Sequence, residues 1–310
     1  MAGKTNQSGK NVTAEKAQPS PFSPVQIKKF VGEVQAEFSK ITWPDKKVTL
    51  GLTGMVVLLT IVVSAYLGTV DATAPFDWDK PDTWPAALSG VHSAYISYFP
   101  DLAFPGASQK IEALTKSAAA AGVKRLVLLS GRGEVHAQRC EDIVRRSGLE
   151  YTLVRAAWFA QNFSEGYLRE AALEGLVALP AGDVREPIVD VDDIADVAVA
   201  ALTEDRHAGQ LYELTGPRLL TFGEAAAELS KAMGREIRYQ PISLEQFHAS
   251  MMQLGGAVVA DVFTEICREV LDGRNASLGD GIQRALGRQP RDFADFCRAA
   301  SAAGAWDQAA

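Results

Sequence analysis

The apolar and polar positions of this chain change rhythm three times. Met1 to Ser23 holds Lys, Ser, Gln, Asn and Pro with almost no large apolar side chain. Such a stretch buries too little to offset its own ordering entropy, so a disordered tail over 1–23 is predicted. From Val25 onward, Ile27, Phe30, Val31, Val34, Phe38 and Ile41 recur at helical spacing, with Lys28, Lys29, Glu33, Glu37 and Lys40 opposite. This pattern predicts an amphipathic helix whose cationic face suits an anionic membrane surface or a partner helix. Pro44 ends it, and Lys46 and Lys47 mark a charged border. Val48 to Val70 then runs without a charge. At about 1.5 Å per residue the run spans roughly 30–35 Å, the hydrocarbon thickness of a bilayer, and a single transmembrane helix is predicted.

After a short linker at 72–75 the texture becomes that of a soluble α/β domain, 76–310. The apolar runs Ser93–Tyr98, Arg125–Leu129 and Tyr151–Val154 read as buried parallel strands. Helices are predicted between them at Ser108–Ala121 and His136–Ser147, closed by Gly122 and Gly148. Strands alternating with helices indicate a doubly wound parallel sheet, and the part beyond about Thr221 reads as mainly helical.

Charge sharpens the division. The net charge is −7, but Met1–Lys47 alone carries +4, which leaves −11 on the rest. That acidic body argues against nucleic acid as a partner. Lysines before the charge-free run and Asp71, Asp77 and Asp79 after it place the N-terminus in the cytoplasm of a single-pass inner (plasma) membrane protein. The same rule would carry 72–310 out of the cytoplasm. Cys140, Cys267 and Cys297 form no C-x-x-C pair and read as buried free thiols. No metal site is expected: Asp192, Asp193 and Asp196 read as acids complementing a helix N-terminus.

The phrase Val34-Gln35-Ala36-Glu37-Phe38-Ser39-Lys40-Ile41-Thr42-Trp43-Pro44, with the helix, Lys pair and span around it, resembles SecE over residues 24–71. The resemblance implies a scaffold in the lipid bilayer that clamps the channel subunit SecY alongside SecG. Phe30, Val34, Phe38, Trp43 and Pro44 would then face the channel or the membrane. No chemistry is implied.

A second set of phrases lies in the α/β part. It includes Phe76-Asp77-Trp78-Asp79 with Thr83-Trp84, Ala121-Gly122-Val123-Lys124-Arg125 running to Ser130, and Ser147-Gly148-Leu149-Glu150-Tyr151-Thr152 leading to Arg155, Trp158, Phe159, Gln161, Asn162 and Phe163. Val189-Asp190-Val191-Asp192-Asp193-Ile194-Ala195-Asp196 and Leu214-Thr215-Gly216-Pro217 complete it. Together they resemble the NmrA-like group of atypical short-chain dehydrogenases, over about 75–306. The resemblance implies NAD(P) binding and a redox enzyme or redox sensor. It begins only at the family's third strand, so the G-x-x-G-x-x-G turn that cradles the pyrophosphate is missing. Gly51-Leu52-Thr53-Gly54-Met55-Val56-Val57 lies inside the charge-free run and has Val57 at the third glycine position. Gly131-Arg132-Gly133 has His136 there. Tight NAD(P) binding is therefore not expected, and loss of the first strand is expected to leave a gap inside the sheet.

Ser130 follows a strand where superfamily enzymes place a catalytic serine, and His136 and Glu141 lie on the next predicted helix, which offers no Tyr-x-x-x-Lys pair. The alternative reading has Ser130 capping the following segment, His136 on the surface and Glu141 solvated. Phe99, Pro100, Ser130, Arg155, Trp158 and Asn162 sit at strand ends, where ligands bind in such sheets, so they are pocket candidates; packing and capping would also account for them. Three readings stay open. They are a SecE-like scaffold carrying a cofactor-deficient passenger, a membrane-tethered oxidoreductase or sensor, and a chimera without joint function.

Overall fold

A computed structural model describes residues 75–307. The tail, the amphipathic helix and the charge-free run, with Phe30, Val34, Phe38, Trp43 and Pro44, lie outside the described residues. Among the described residues no helix is long and apolar enough to cross a membrane.

In chain order the elements are α1 (Trp84–Leu88), β1 (Ser93–Ile96), α2 (Ala107–Ala121), β2 (Arg125–Gly131), α3 (Val135–Arg145) and β3 (Glu150–Ala156). Next come α4 (Leu168–Glu174), β4 (Leu176–Leu179), β5 (Arg185–Glu186), α5 (Val191–Thr203) and β6 (Gln210–Leu214). The C-terminal part adds β7 (Leu220–Thr221), α6 (Phe222–Met233), β8 (Arg238–Pro241), α7 (Leu244–Val270), α8 (Gly281–Leu286) and α9 (Phe293–Ala302).

Four strands form a parallel sheet in the order β1-β2-β3-β6. Alternation along β2 explains why helices cover both faces. Leu126 and Leu128 point to one core, with Ile111 and Leu114 of α2 and Cys140 and Val144 of α3. Val127 points to the other, with Val154, Ile194 and Val197 of α5 and Ile282 of α8. Each such side chain contributes about 1.5–3 kcal/mol on burial. The sheet is thus doubly wound, as the alternating pattern predicts. Among the described residues its four strands are contiguous, without the expected interior gap, and β1 forms an edge of the described sheet.

Local signals set most boundaries. Gly122 closes α2 at φ 86, with its N–H bonded to Ala118 and Ala119 carbonyls. Gly148 does not close α3; the helix ends at Arg145, and Gly148 (φ 80) lies in the turn beyond. Asp190 caps α5 by accepting from Asp192 N, and Asp192 and Asp193 fill its first turn, as predicted. The Phe76–Asp79 phrase builds an aromatic cover beside β1. Trp78 packs on Tyr98 at 4.7 Å, and Trp84 donates its indole N–H to Asp77 O at 2.8 Å.

A third core binds the C-terminal part, with Phe163, Leu179, Phe222, Phe247 and Phe293 buried together. Helix α7 is two helices joined at Gly256, whose φ of 76 and ψ of −174 break the spiral. His248 Nε2 meets Asp261 Oδ1 at 2.8 Å. On a straight helix, thirteen residues would separate them by roughly 20 Å, so the two halves fold back on each other.

Candidate functional site

In open α/β sheets ligands gather at the C-terminal ends of the strands. There the register places Ser130 beside Arg155 and Arg155 beside Glu213, one residue from each of β2, β3 and β6. Helix α3 lowers Glu141, fully buried, onto this row. Ser130 Oγ donates to Glu141 Oε1 at 2.5 Å. Arg155 donates to both Glu141 oxygens, at 2.8 and 2.5 Å, and to Glu213 Oε1 at 3.0 Å. The structure therefore brings Ser130, Glu141 and Arg155 together. Glu141 is buried rather than solvated, and Ser130 binds its carboxylate instead of capping the next segment.

Glu213 also accepts from Arg132 Nε at 3.3 Å. The rest of that guanidinium is held by a strap, residues 275–281. Its Nη1 donates to the carbonyls of Asn275 and Ser277, both at 2.8 Å, and Nη2 donates to Ser277 Oγ at 2.8 Å. A Cβ on Gly279 would lie 2.6 Å from Glu213 O, so only glycine lets the strap come this close. A paired network of this kind binds strands, helix and strap together.

Glu186 behaves differently. It is 1% exposed, and its Oε1 has no hydrogen-bond partner among the described residues. Burial pushes its carboxyl up to about 7, with Arg132 pulling down and Asp272 pushing up. Trp158, whose ring meets Phe222 at 5.3 Å, also has an unpartnered indole N–H. Asn162 lies in the single turn Ala160–Phe163 against Gly166. Phe99 is 78% exposed and joins Pro100 through a cis peptide bond. His136 is exposed on the first turn of α3. Thus His136, Phe99 and Pro100 take no part in the hydrogen bonds that join Ser130, Glu141 and Arg155.

Gly131-Arg132-Gly133 lies at a strand–turn–helix junction, between β2 and α3. The space a phosphate would need is filled by the protein. A side chain on Gly131 would collide with the Glu134 carboxyl, and one on Gly133 would lie 2.8 Å from Asn275 Oδ1. The Val135 N–H on the first turn of α3 donates to Glu269 Oε2 at 3.1 Å. Burial, then Asp101 and Glu269, drive the Glu134 carboxyl well above its ordinary range. The helix end that would need to attract an anion is thus already bonded to Glu269 and covered by the Glu134 carboxyl. The residues present here do not fit a dinucleotide pyrophosphate.

Burial pushes the thiols of Cys140, Cys267 and Cys297 up to about 12, so none is poised as a nucleophile. Asp193 is buried against Arg291 and Arg288, and Asp196 pairs with the same two arginines. The sequence reading missed Arg132, Glu213, Asn275 and Glu186. A lone acid in the apolar run Leu211–Leu214 is the one signal that could have indicated Glu213.

A doubly wound parallel sheet with a helical second lobe is the architecture of a Rossmann-type domain. Residues 74–269 match the NmrA-like family, and the chain belongs to it. Residues 28–75 match the SecE subunits of the protein translocation complex. The NAD(P)H azoreductase of Xenophilus azovorans is 34% identical over 241 residues, covering 74% of this chain and 83% of that protein. An NADPH-dependent quinone oxidoreductase from Escherichia coli, solved with NADPH, superposes with a TM-score of 0.62 at 26% identity, covering 72% of this chain and 81% of that one. Triphenylmethane reductase of Citrobacter sp., solved with NADP(H), shares the fold with a TM-score of 0.60 at 22% identity, covering 73% of this chain and 82% of that one.

Proposed function

We propose that this protein is a SecE-like membrane scaffold. In this reading residues 24–71 clamp SecY beside SecG with Phe30, Val34, Phe38, Trp43 and Pro44, while the NmrA-like domain is a passenger that does not hold NAD(P) tightly. The match of residues 28–75 to SecE subunits supports the first half. The observation that carries the second is the filled turn, in which Glu134 and Asn275 occupy the approach to Gly131 and Gly133 and Glu269 caps Val135. The Val135 N–H, already bonded to Glu269, is not free to receive a pyrophosphate oxygen. Expression of the full chain in SecE-depleted cells tests the scaffold: growth supports it, and failure at normal expression rejects it. Titration of the same chain with NADPH, followed by nucleotide fluorescence, tests the passenger reading; micromolar affinity would reject it.

The second reading, a membrane-tethered NAD(P)-dependent oxidoreductase or redox sensor, draws on the 34% identity to an NAD(P)H azoreductase. It requires a phosphate cradle other than the Gly131–Gly133 turn. Micromolar NADPH affinity together with dye reduction would favour it.

A further inference from the structure

We infer that the outer edge of β1 is a docking surface for a second copy of this chain, with β1 pairing to β1 antiparallel across a two-fold axis so that two sheets become one. The inference rests on the reading of residues 24–71 as a membrane anchor.

The two edges of the described sheet are finished differently. At the β6 edge the strap presses Gly279 and Gly281 onto the Glu213 carbonyl, and Gly279 N donates to Thr215 Oγ1 at 3.1 Å. Arg284 adds a bond to Leu211 O at 3.4 Å and lies over the Tyr212 ring. A second strand cannot reach that edge. At the β1 edge, Ser93, Ala94, Tyr95 and Ile96 pair with β2, and among the described residues no further backbone group bonds to them.

Folded proteins blunt open edges with charges, proline or bulges. Ser93-Ala94-Tyr95-Ile96 carries none of these, and its shortness, four residues, is the one protection it has. Beyond its end, Phe99 is 78% exposed, and Phe76 on the neighbouring aromatic cover is 41% exposed. Unpaired amides and carbonyls specify another extended strand as their partner, and exposed rings beside them supply apolar contact.

Two features select a second copy as that strand. An edge rotated about a two-fold meets itself with donors facing acceptors, so one sequence provides both sides of the interface. The chain's own preceding apolar run, Val48–Val70, is committed to the bilayer in the anchor reading, and only 71–74 separate it from Pro75. Copies anchored so closely share a thin layer above the membrane, which raises their effective concentration enough for a four-residue pairing to form.

The test uses the full chain reconstituted in lipid vesicles, with single cysteines introduced at Ser93, Ala94 and Ser97 and, as a control, at Ser250 on α7. The native thiols are buried, so the introduced one reports alone. Mild oxidation is expected to give a cross-linked dimer from at least one β1 position and at least tenfold less from Ser250→Cys. Adding Ala94→Lys to the Ser93→Cys or Ser97→Cys chain is expected to cut the cross-link at least tenfold while far-ultraviolet circular dichroism is kept. Equal cross-linking at β1 and α7, or a yield indifferent to Ala94→Lys, overturns the inference. So does a monomer in which the β1 amides that point away from β2 resist hydrogen exchange, since the outer edge would then be paired within one chain. Flotation of the vesicles reports the anchor separately. If the chain does not float, the anchor reading has failed, and the same cysteine pairs are scored in solution. A β1-specific dimer there sustains the edge, and its absence rejects it.

Discussion

Arg155 grips the fully buried carboxylate of Glu141 with two hydrogen bonds, of 2.8 and 2.5 Å, near the C-terminal end of β3. Ser130 takes a third contact on the same carboxylate at 2.5 Å. Residues that look like acid–base chemistry in the sequence are therefore satisfied by one another. Their geometry is that of a brace joining β2, β3 and α3.

Breaking that brace from one side should cost stability far more than replacing it whole. Arg155→Met leaves buried Glu141 with only the more distant Arg145, at 3.6 Å, as counter-charge, at a cost of about 3–5 kcal/mol. Arg155→Met combined with Glu141→Leu should recover most of the loss, because an apolar pair of similar volume needs no ionic compensation. Thermal unfolding of both variants, followed by circular dichroism, checks the order. If the double variant is as unstable as the single one, the brace is not acting as an isolated pair.

Two of the carboxyl groups raised by burial, Glu186 and Glu134, should make the domain more stable in mild acid. Glu186 titrates at about 7 in the fold, raised mainly by burial, against an ordinary value near 4.5. Its native state binds the proton more tightly than the unfolded chain does, so its contribution is complete below about 4.5 and is lost as pH rises through about 7. At one unit per 1.36 kcal/mol that amounts to roughly 3 kcal/mol. Glu134 is shifted in the same direction by burial and by Asp101 and Glu269. Glu186→Gln and Glu134→Gln should each flatten the fall in stability measured by urea unfolding between pH 5 and pH 8. A fall unchanged in both would mean that neither group is protonated in the folded protein.

How much of this was legible depended on how local each cause is. The apolar runs of β2 and β3, Gly122 at the end of α2 and the acids that open α5 each declare themselves within a few residues, and the fold follows from them. The brace does not. Ser130, Arg155 and Glu213 meet only because parallel register sets them side by side, and Arg132 finds Asn275 from 143 positions away. Glu141 looks like a solvated helix acid until the helix face toward the sheet is known. The phosphate turn was misleading in the opposite way. Its missing third glycine was visible, whereas its occupation by Glu134 and Asn275 arises only when the C-terminal strap folds back.

The hinge of α7 offers a separate test. Gly256 holds φ 76, and a Cβ on its neighbour Gly255 would lie 2.7 Å from the Val259 side chain. Alanine at 256 favours the helical well, so it strains the turn by about 1 kcal/mol or more. Gly256→Ala should also part His248 from Asp261, which meet only because the chain reverses there. Proteolysis within 252–258 should accelerate in this variant; an unchanged cleavage rate would show that the hinge does not depend on glycine.

The strap makes the most local claim and so the sharpest one. Gly279 faces the Glu213 carbonyl oxygen with room for a hydrogen but not for a methyl group, since a Cβ would sit 2.6 Å away. That oxygen belongs to strand backbone and cannot swing aside, so Gly279→Ala must lift the strap. Lifting it removes the Asn275 and Ser277 carbonyls from Arg132, whose side chain is 8% exposed and would lose two of its acceptors in a buried place. Overpacking and lost pairing together should cost about 2–4 kcal/mol, a fall in Tm of roughly 4–16 °C for a domain of this size. Gly223 provides the matched comparison, because it lies in helix α6 and an added Cβ there meets its neighbours at an ordinary 3.7 Å. Gly223→Ala should leave the melting temperature unchanged or raise it slightly through helix propensity. If the two alanines behave alike, close approach at Gly279 is not what holds the strap against β6.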